Sequence, residues 1–149
     1  MALSLGLVYL YTKQPDDLLS WTYAKDPQHL QELVAKSTSE GKPVVVDFWG
    51  TWCTNCKVYD VRIATIPELR ERFERITRIK VDLSGDDRKR WDMRHALGIE
   101  QALAPYMVFI DRQGRIRRKA DIDGLFGAEK VSAHIDVVLN DKPVETSRR

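Results

Sequence analysis

The stretch VVVDFWGTWCTNCK, Val44–Lys57, contains both cysteines of the chain, Cys53 and Cys56. Val44–Trp49 is β-branched and aromatic except for one acid, Asp47. A short run this apolar suits a central strand covered on both faces. The thiols follow after Gly50, where the strand gives way to a turn and a helix. Open α/β sheets place their active groups at that end of a strand.

The cysteine spacing argues for chemistry over stapling. A bridge across two intervening residues closes a tiny loop and constrains the unfolded chain little. Two cysteines in 149 residues do not make a disulfide scaffold either. Zinc also binds C-x-x-C pairs but needs two more ligands. The chain offers only His29, His95 and His134, none paired at ligand spacing. A redox pair fits best, with zinc and inert buried thiols as weaker alternatives. At a helix N-terminus, unpaired N–H groups and the helix dipole lower a thiol's pKa. Cys53 is expected at that end with its sulfur reachable from solvent. Cys56 is expected one turn on, pointing underneath. Cys53 then attacks a partner disulfide and Cys56 resolves the mixed disulfide.

Other residues around the pair acquire roles. A buried, unpaired Asp47 has a raised pKa and suits proton transfer to or from Cys56. Asp60 follows Cys56 by one turn on the same helix face. It is either a second acid near the buried thiol or an ordinary surface charge. Lys57 is expected to face solvent, and Trp49 and Trp52 to pack around the turn. Pro105 leads the apolar stretch Tyr106–Ile110, a permitted place for proline and one where some bonds are cis. A cis bond there presents the Ala104 backbone to an incoming extended chain.

Working outward, Asp26-Pro27 starts a helix with Leu30, Leu33 and Val34 at helical spacing, stopped by Gly41. The helix after Cys53 is expected to turn Val58, Val61 and Ile63 inward. Thr65 to Glu68 resembles a second helix start with Thr65 as cap. Leu69, Phe73 and Ile76 form its apolar stripe. Ile79, Val81 and Leu83 alternate as a strand, and Asp86 to Leu97 is helical up to Gly98. Tyr106–Ile110 and a return strand from Arg115 to Ile122 form a hairpin around Asp111–Gly114. Ala128–Leu139 is the last helix. The order predicts an α/β sandwich around a mixed sheet of four to five strands.

Hydrophobic residues make up 43% of the chain, enough for a core, and the net charge is only +2. Nucleic acid is therefore not expected as a partner. The basic runs at Arg88–Arg90 and Arg115–Lys119 are interleaved with acids and suit a solvated face. The opening MALSLGLVYLY is apolar but too short to span a membrane and lacks a full signal peptide. A truncated signal or anchor, a terminal strand and a packed arm all remain open for it.

With Asp47, WCTNCK and Pro105 in place, the sequence resembles the thioredoxin superfamily over residues 26–140. Within it, the sequence resembles more closely the C-terminal periplasmic domain of DsbD-type thiol:disulfide interchange proteins than thioredoxin itself. GKPVVVDFWGTWCTNCK, the Lys57-Val58-Tyr59-Asp60 segment and KVDLSGDD carry that likeness. The resemblance implies a thioredoxin fold flanked by residues 1–25, an extension or anchor remnant, and a polar tail, 141–149. It implies catalytic Cys53, Cys56, Asp47 and Asp60. It also implies a substrate groove of Trp52, Thr54, Asn55, Ala104, cis Pro105 and Tyr106, with no metal or organic cofactor. The implied activity is reduction of extracytoplasmic protein disulfides by a monomer fed from a membrane or thioredoxin-like donor. A cytoplasmic general reductase and a non-enzymatic binding module are the alternatives. Thr54-Asn55 replaces the Gly-Pro of thioredoxin, and Tyr106 stands where relatives carry Thr. The segment from Gly98 to Pro105 is also longer than usual, which bears on partner choice.

Overall fold

The computed structural model describes residues 18–85, 87–100 and 103–140. The chain runs β1 Thr22–Tyr23, α1 Pro27–Ser39, β2 Val44–Trp49, α2 Thr54–Thr65, α3 Pro67–Glu74 and β3 Thr77–Asp82. It continues with α4 Asp87–His95, β4 Tyr106–Ile110, a 3-10 turn Arg118–Ala120, β5 Ile122–Asp123 and α5 Ala128–Leu139. The apolar opening stretch, Asp86 and the polar tail lie outside the described residues.

β2 sits at the middle of a five-stranded sheet ordered β1-β3-β2-β4-β5. It pairs parallel with β3 and antiparallel with β4. Residues 44–48 are buried because helices cover both faces. Val44, Val46 and Phe48 pack with Leu30 of α1 and Met93 of α4. Val45, Met107 and Phe109 pack on the other face with α2, α3 and α5, through Tyr59, Ile63, Phe73, Val131 and Ile135. Each fully buried large side chain here contributes about 1.5–3 kcal/mol. The expected α/β thioredoxin fold with a mixed sheet is therefore present. β1 forms within Leu18–Tyr23, a segment to which the sequence pattern assigns no element, and pairs Thr22 and Tyr23 with Ile79 and Lys80.

The helix starts show how local chemistry fixes boundaries. The Asp26 carboxylate accepts the His29 N–H at 2.8 Å, with Pro27 in the first turn. Asp26→Ala should lower stability by about 1 kcal/mol, measured by urea denaturation at neutral pH. Thr65, by contrast, does not cap α3. It is still inside α2, where its hydroxyl donates to the Val61 carbonyl at 2.7 Å. Ile66 occupies the cap position without a side-chain bond, and Pro67 starts the helix by its fixed φ.

Two further expectations are corrected. α2 buries Cys56, Tyr59, Ile63 and Ala64, while Val58 and Val61 are only half-buried. The stripe that meets the sheet runs through Cys56, so the two valines fall on its flanks. The return strand from Arg115 is also not continuous. Ile116 bridges to Ile110, and the Arg117 N–H reaches Phe109, but the chain then winds into the 3-10 turn before β5. Asp111, fully buried, ties this corner by accepting from the Gln113 and Arg115 N–H groups and from both guanidinium groups of Arg115 and Arg117. Arg115 stays exposed, as expected of a solvated face, while it and the half-buried Arg117 also brace the hairpin.

Candidate active site

β2 delivers the chain to the turn Gly50–Cys53, and α2 begins at Thr54. Cys53 is the N-cap of that helix. Its sulfur accepts the Cys56 backbone N–H at 3.1 Å. Such a bond favours negative charge on the Cys53 sulfur when the pair is reduced. Cys56 faces a different environment, with its sulfur 4.0 Å from the Phe48 carbonyl oxygen. A carbonyl there welcomes a thiol proton and disfavours a thiolate. The two sulfurs form a disulfide, with the Cα atoms 5.3 Å apart. In this bridged form Cys53 is 4% exposed and Cys56 1%. The expected difference in solvent access is therefore small, since each bonded sulfur covers the other. The hydrogen-bonding environment distinguishes them instead.

Asp47 is 1% exposed and faces the α2 side of the sheet. Neither of its carboxyl oxygens has a hydrogen-bond partner among the described residues. Burial pushes its pKa up to about 7; the nearby Lys80 ammonium opposes that rise and Asp60 adds to it. Lys80 is the register partner of Asp47 across β2 and β3. Its ammonium is nevertheless committed to the Asp60 carboxylate, with which it forms a close ion pair. Both partners are largely buried, their side chains 5% and 12% exposed. The indoles of Trp21 and Trp49 flank the ammonium, 4.9 and 5.4 Å from it to their centroids. Asp60 is thus an internal ion-pair partner, not a surface charge.

The sequence pattern does not reveal Lys80. Alternation in β3 places Ile79 and Val81 inside, which reads Lys80 as outward and solvated. The sheet is covered on both faces, so outward in the strand is still inside the protein.

The groove residues arrive from two places. β4 runs antiparallel to β2 with Tyr106 opposite Phe48, so Pro105 lies near the β2 exit to the cysteine turn. The Ala104–Pro105 bond is cis, as the resemblance implies. Pro105 is buried and Ala104 half-buried; Thr54 and Asn55 are exposed. Trp52 is 57% exposed and lays its indole against Gly50. A Cβ on Gly50 would meet that ring at 2.8 Å, so a side chain there would displace the Trp52 indole from this position. The Tyr106 ring packs edge-on against Phe48, and its hydroxyl donates to Asp121 at 2.8 Å. Burial and that bond push its pKa up to about 12.

The sequence profile of the thioredoxin-like domain matches residues 30–139. The chain belongs to the thioredoxin-like domain family. Among curated proteins it is similar to the thiol:disulfide interchange protein DsbD of Escherichia coli O6:H1, 25% identical over 125 residues. DsbD of Escherichia coli K12 is 24% identical over the same length. Each match covers 84% of this chain and 21% of the relative, so the chain spans about a fifth of the length of these proteins. Among solved structures, the oxidised DsbD C-terminal domain of Neisseria meningitidis superposes with a TM-score of 0.62 at 20% identity. That match covers 80% of this chain and 99% of that one. Fasciola hepatica thioredoxin gives 0.58 at 20% identity, over 78% and 98% of the two chains. These likenesses agree with the sheet order and helix layers described above. Within this family the Cys53–Cys56 pair makes the chain a dithiol–disulfide oxidoreductase.

Proposed function

We propose that this thioredoxin-like protein reduces disulfides of extracytoplasmic proteins, drawing electrons from a membrane-borne or thioredoxin-like dithiol donor. The observation that carries the reading is the Cys53–Cys56 pair at the α2 N-terminus in a chain similar to DsbD. The Cys53 thiolate attacks one sulfur of a partner disulfide, forming a mixed disulfide and releasing the other partner sulfur as a thiolate. Asp47 takes the Cys56 thiol proton. The Cys56 thiolate then attacks the Cys53 sulfur, expels the second partner thiolate and closes the Cys53–Cys56 bridge. Two electrons have passed to the partner, and the donor dithiol restores the pair.

Each acid has a task in this scheme. Asp47, with a pKa near 7, can hold or release a proton at neutral pH. Asp60 keeps the Lys80 ammonium engaged, so that Asp47 has no direct cationic partner among the described residues. Trp52, Ala104, Pro105 and the exposed Thr54-Asn55 pair meet the incoming chain, and Tyr106 braces the start of β4 from behind.

Equilibration of the Cys53–Cys56 pair with glutathione tests the direction of flow. A reductase should have a potential close to about −270 mV, the thioredoxin range. A value close to about −120 mV, typical of a strong oxidant, would overturn the reductive reading.

A further inference from the structure

We propose that the Tyr59 hydroxyl is a positioning group for partner binding, fixing the segment Gly124–Phe126 that is bonded to Pro105. The residue sits three positions after Cys56 on α2 and is 1% exposed. Its hydroxyl donates to the Gly124 carbonyl at 2.7 Å and accepts the Phe126 N–H at 2.6 Å. One side-chain oxygen therefore holds the backbone on both sides of Leu125. The same segment is tied from the other direction, because the Gly124 N–H donates to the Pro105 carbonyl at 3.0 Å. Arg62, one turn along α2 from Tyr59, adds a bond from its guanidinium to the Phe126 carbonyl at 3.3 Å.

The consequence is a short mechanical chain. The helix that carries both cysteines grips the segment beside Pro105, and the gripped segment presents Leu125 outward, 39% exposed. Gly124 takes φ +95 to make the turn, a conformation other residues rarely adopt. Core packing alone would be served by phenylalanine at position 59. The hydroxyl is needed because the Gly124 carbonyl and Phe126 N–H otherwise lose their partner. The Tyr59 hydroxyl is bonded to this segment, so its influence runs through Leu125 and the Pro105 neighbourhood.

This inference rests on Cys53-led exchange with a peptide segment seated beside Pro105. The test compares wild type, Tyr59→Phe, Leu125→Ala and the double variant. The substrate is a synthetic disulfide peptide with leucine next to its cysteine; dithiothreitol regenerates the Cys53–Cys56 dithiol in each turnover, and its own rate of reducing that bridge is read separately as the reference. Tyr59→Phe should raise KM for the peptide about fivefold with kcat, glutathione potential and dithiothreitol rate unchanged. Leu125→Ala should do the same, and the double variant should be no worse than either single. A Tyr59→Phe protein that loses thermal stability while keeping its KM would overturn the proposal. So would an equal fall in the dithiothreitol rate, or additive effects in the double variant. A wild type inactive toward the peptide would sink the exchange reading itself, whereas an active wild type with an unmoved KM in Tyr59→Phe sinks only this one.

Discussion

Asp47→Asn is expected to stabilise the folded protein above neutral pH, with a gain of up to about 4 kcal/mol. The sign follows from the raised pKa of the buried carboxyl, about 7 against 3.8 for the ordinary group. Well below pH 3.8 both folded and unfolded chains hold the proton, and Asp47 contributes no pH dependence. As pH rises from there, the unfolded chain ionises first and the folded state is progressively disfavoured. The penalty is complete once the folded carboxyl also ionises, above about pH 7. Asparagine removes the charge but leaves a buried amide to be satisfied, which offsets part of the gain. Urea denaturation at about pH 4 and about pH 9 should show wild type and variant diverging only at the higher value. Parallel curves at both would mean that Asp47 ionises freely in the folded state. The same substitution should slow closure of the Cys53–Cys56 bridge on the partner by about 10²-fold, since the Cys56 proton loses its acceptor. Stability and rate then move in opposite directions, as expected for a strained group kept for chemistry.

Cys53→Ser should lower disulfide-reduction turnover by at least about 10³-fold, because a serine hydroxyl at neutral pH is a poor nucleophile toward sulfur. Cys56→Ser should also end multiple turnover, but for a different reason. Its first step remains possible, and the partner stays attached. The pair of variants separates attack from resolution, which a single loss of activity would not. Insulin reduction gives the turnover, and gel analysis without reductant gives the attached species.

Much of this site can be read from Val44–Lys57. The apolar run predicts a strand covered on both sides, so Asp47 is legibly buried and unpaired. The cysteine spacing and the strand–turn–helix context together place Cys53 at a helix end. Lys80 is not legible, because its apposition to Asp47 arises from parallel pairing of β2 with β3, a register the local pattern does not encode. Without it, Asp60 stays undecided between core and surface; the ion pair resolves that. Tyr59 escapes for a similar reason: its hydroxyl partners lie 65 and 67 residues away. The Thr65 boundary misleads because a Thr with Glu three residues on is a good local cap, yet the hydroxyl finds the Val61 carbonyl first. β1, two residues long, is held by β3 and has too little pattern to announce itself.

The most direct test of sulfur roles is peptide mapping by mass spectrometry after mixing each single-cysteine variant with an oxidised peptide disulfide. In Cys56→Ser, the peptide should accumulate on Cys53 as a stable mixed disulfide; in Cys53→Ser, Cys56 should remain almost unmodified over the same interval. Equal or faster labelling of Cys56, or no adduct on Cys53, would contradict the assignment of Cys53 as the attacking thiol.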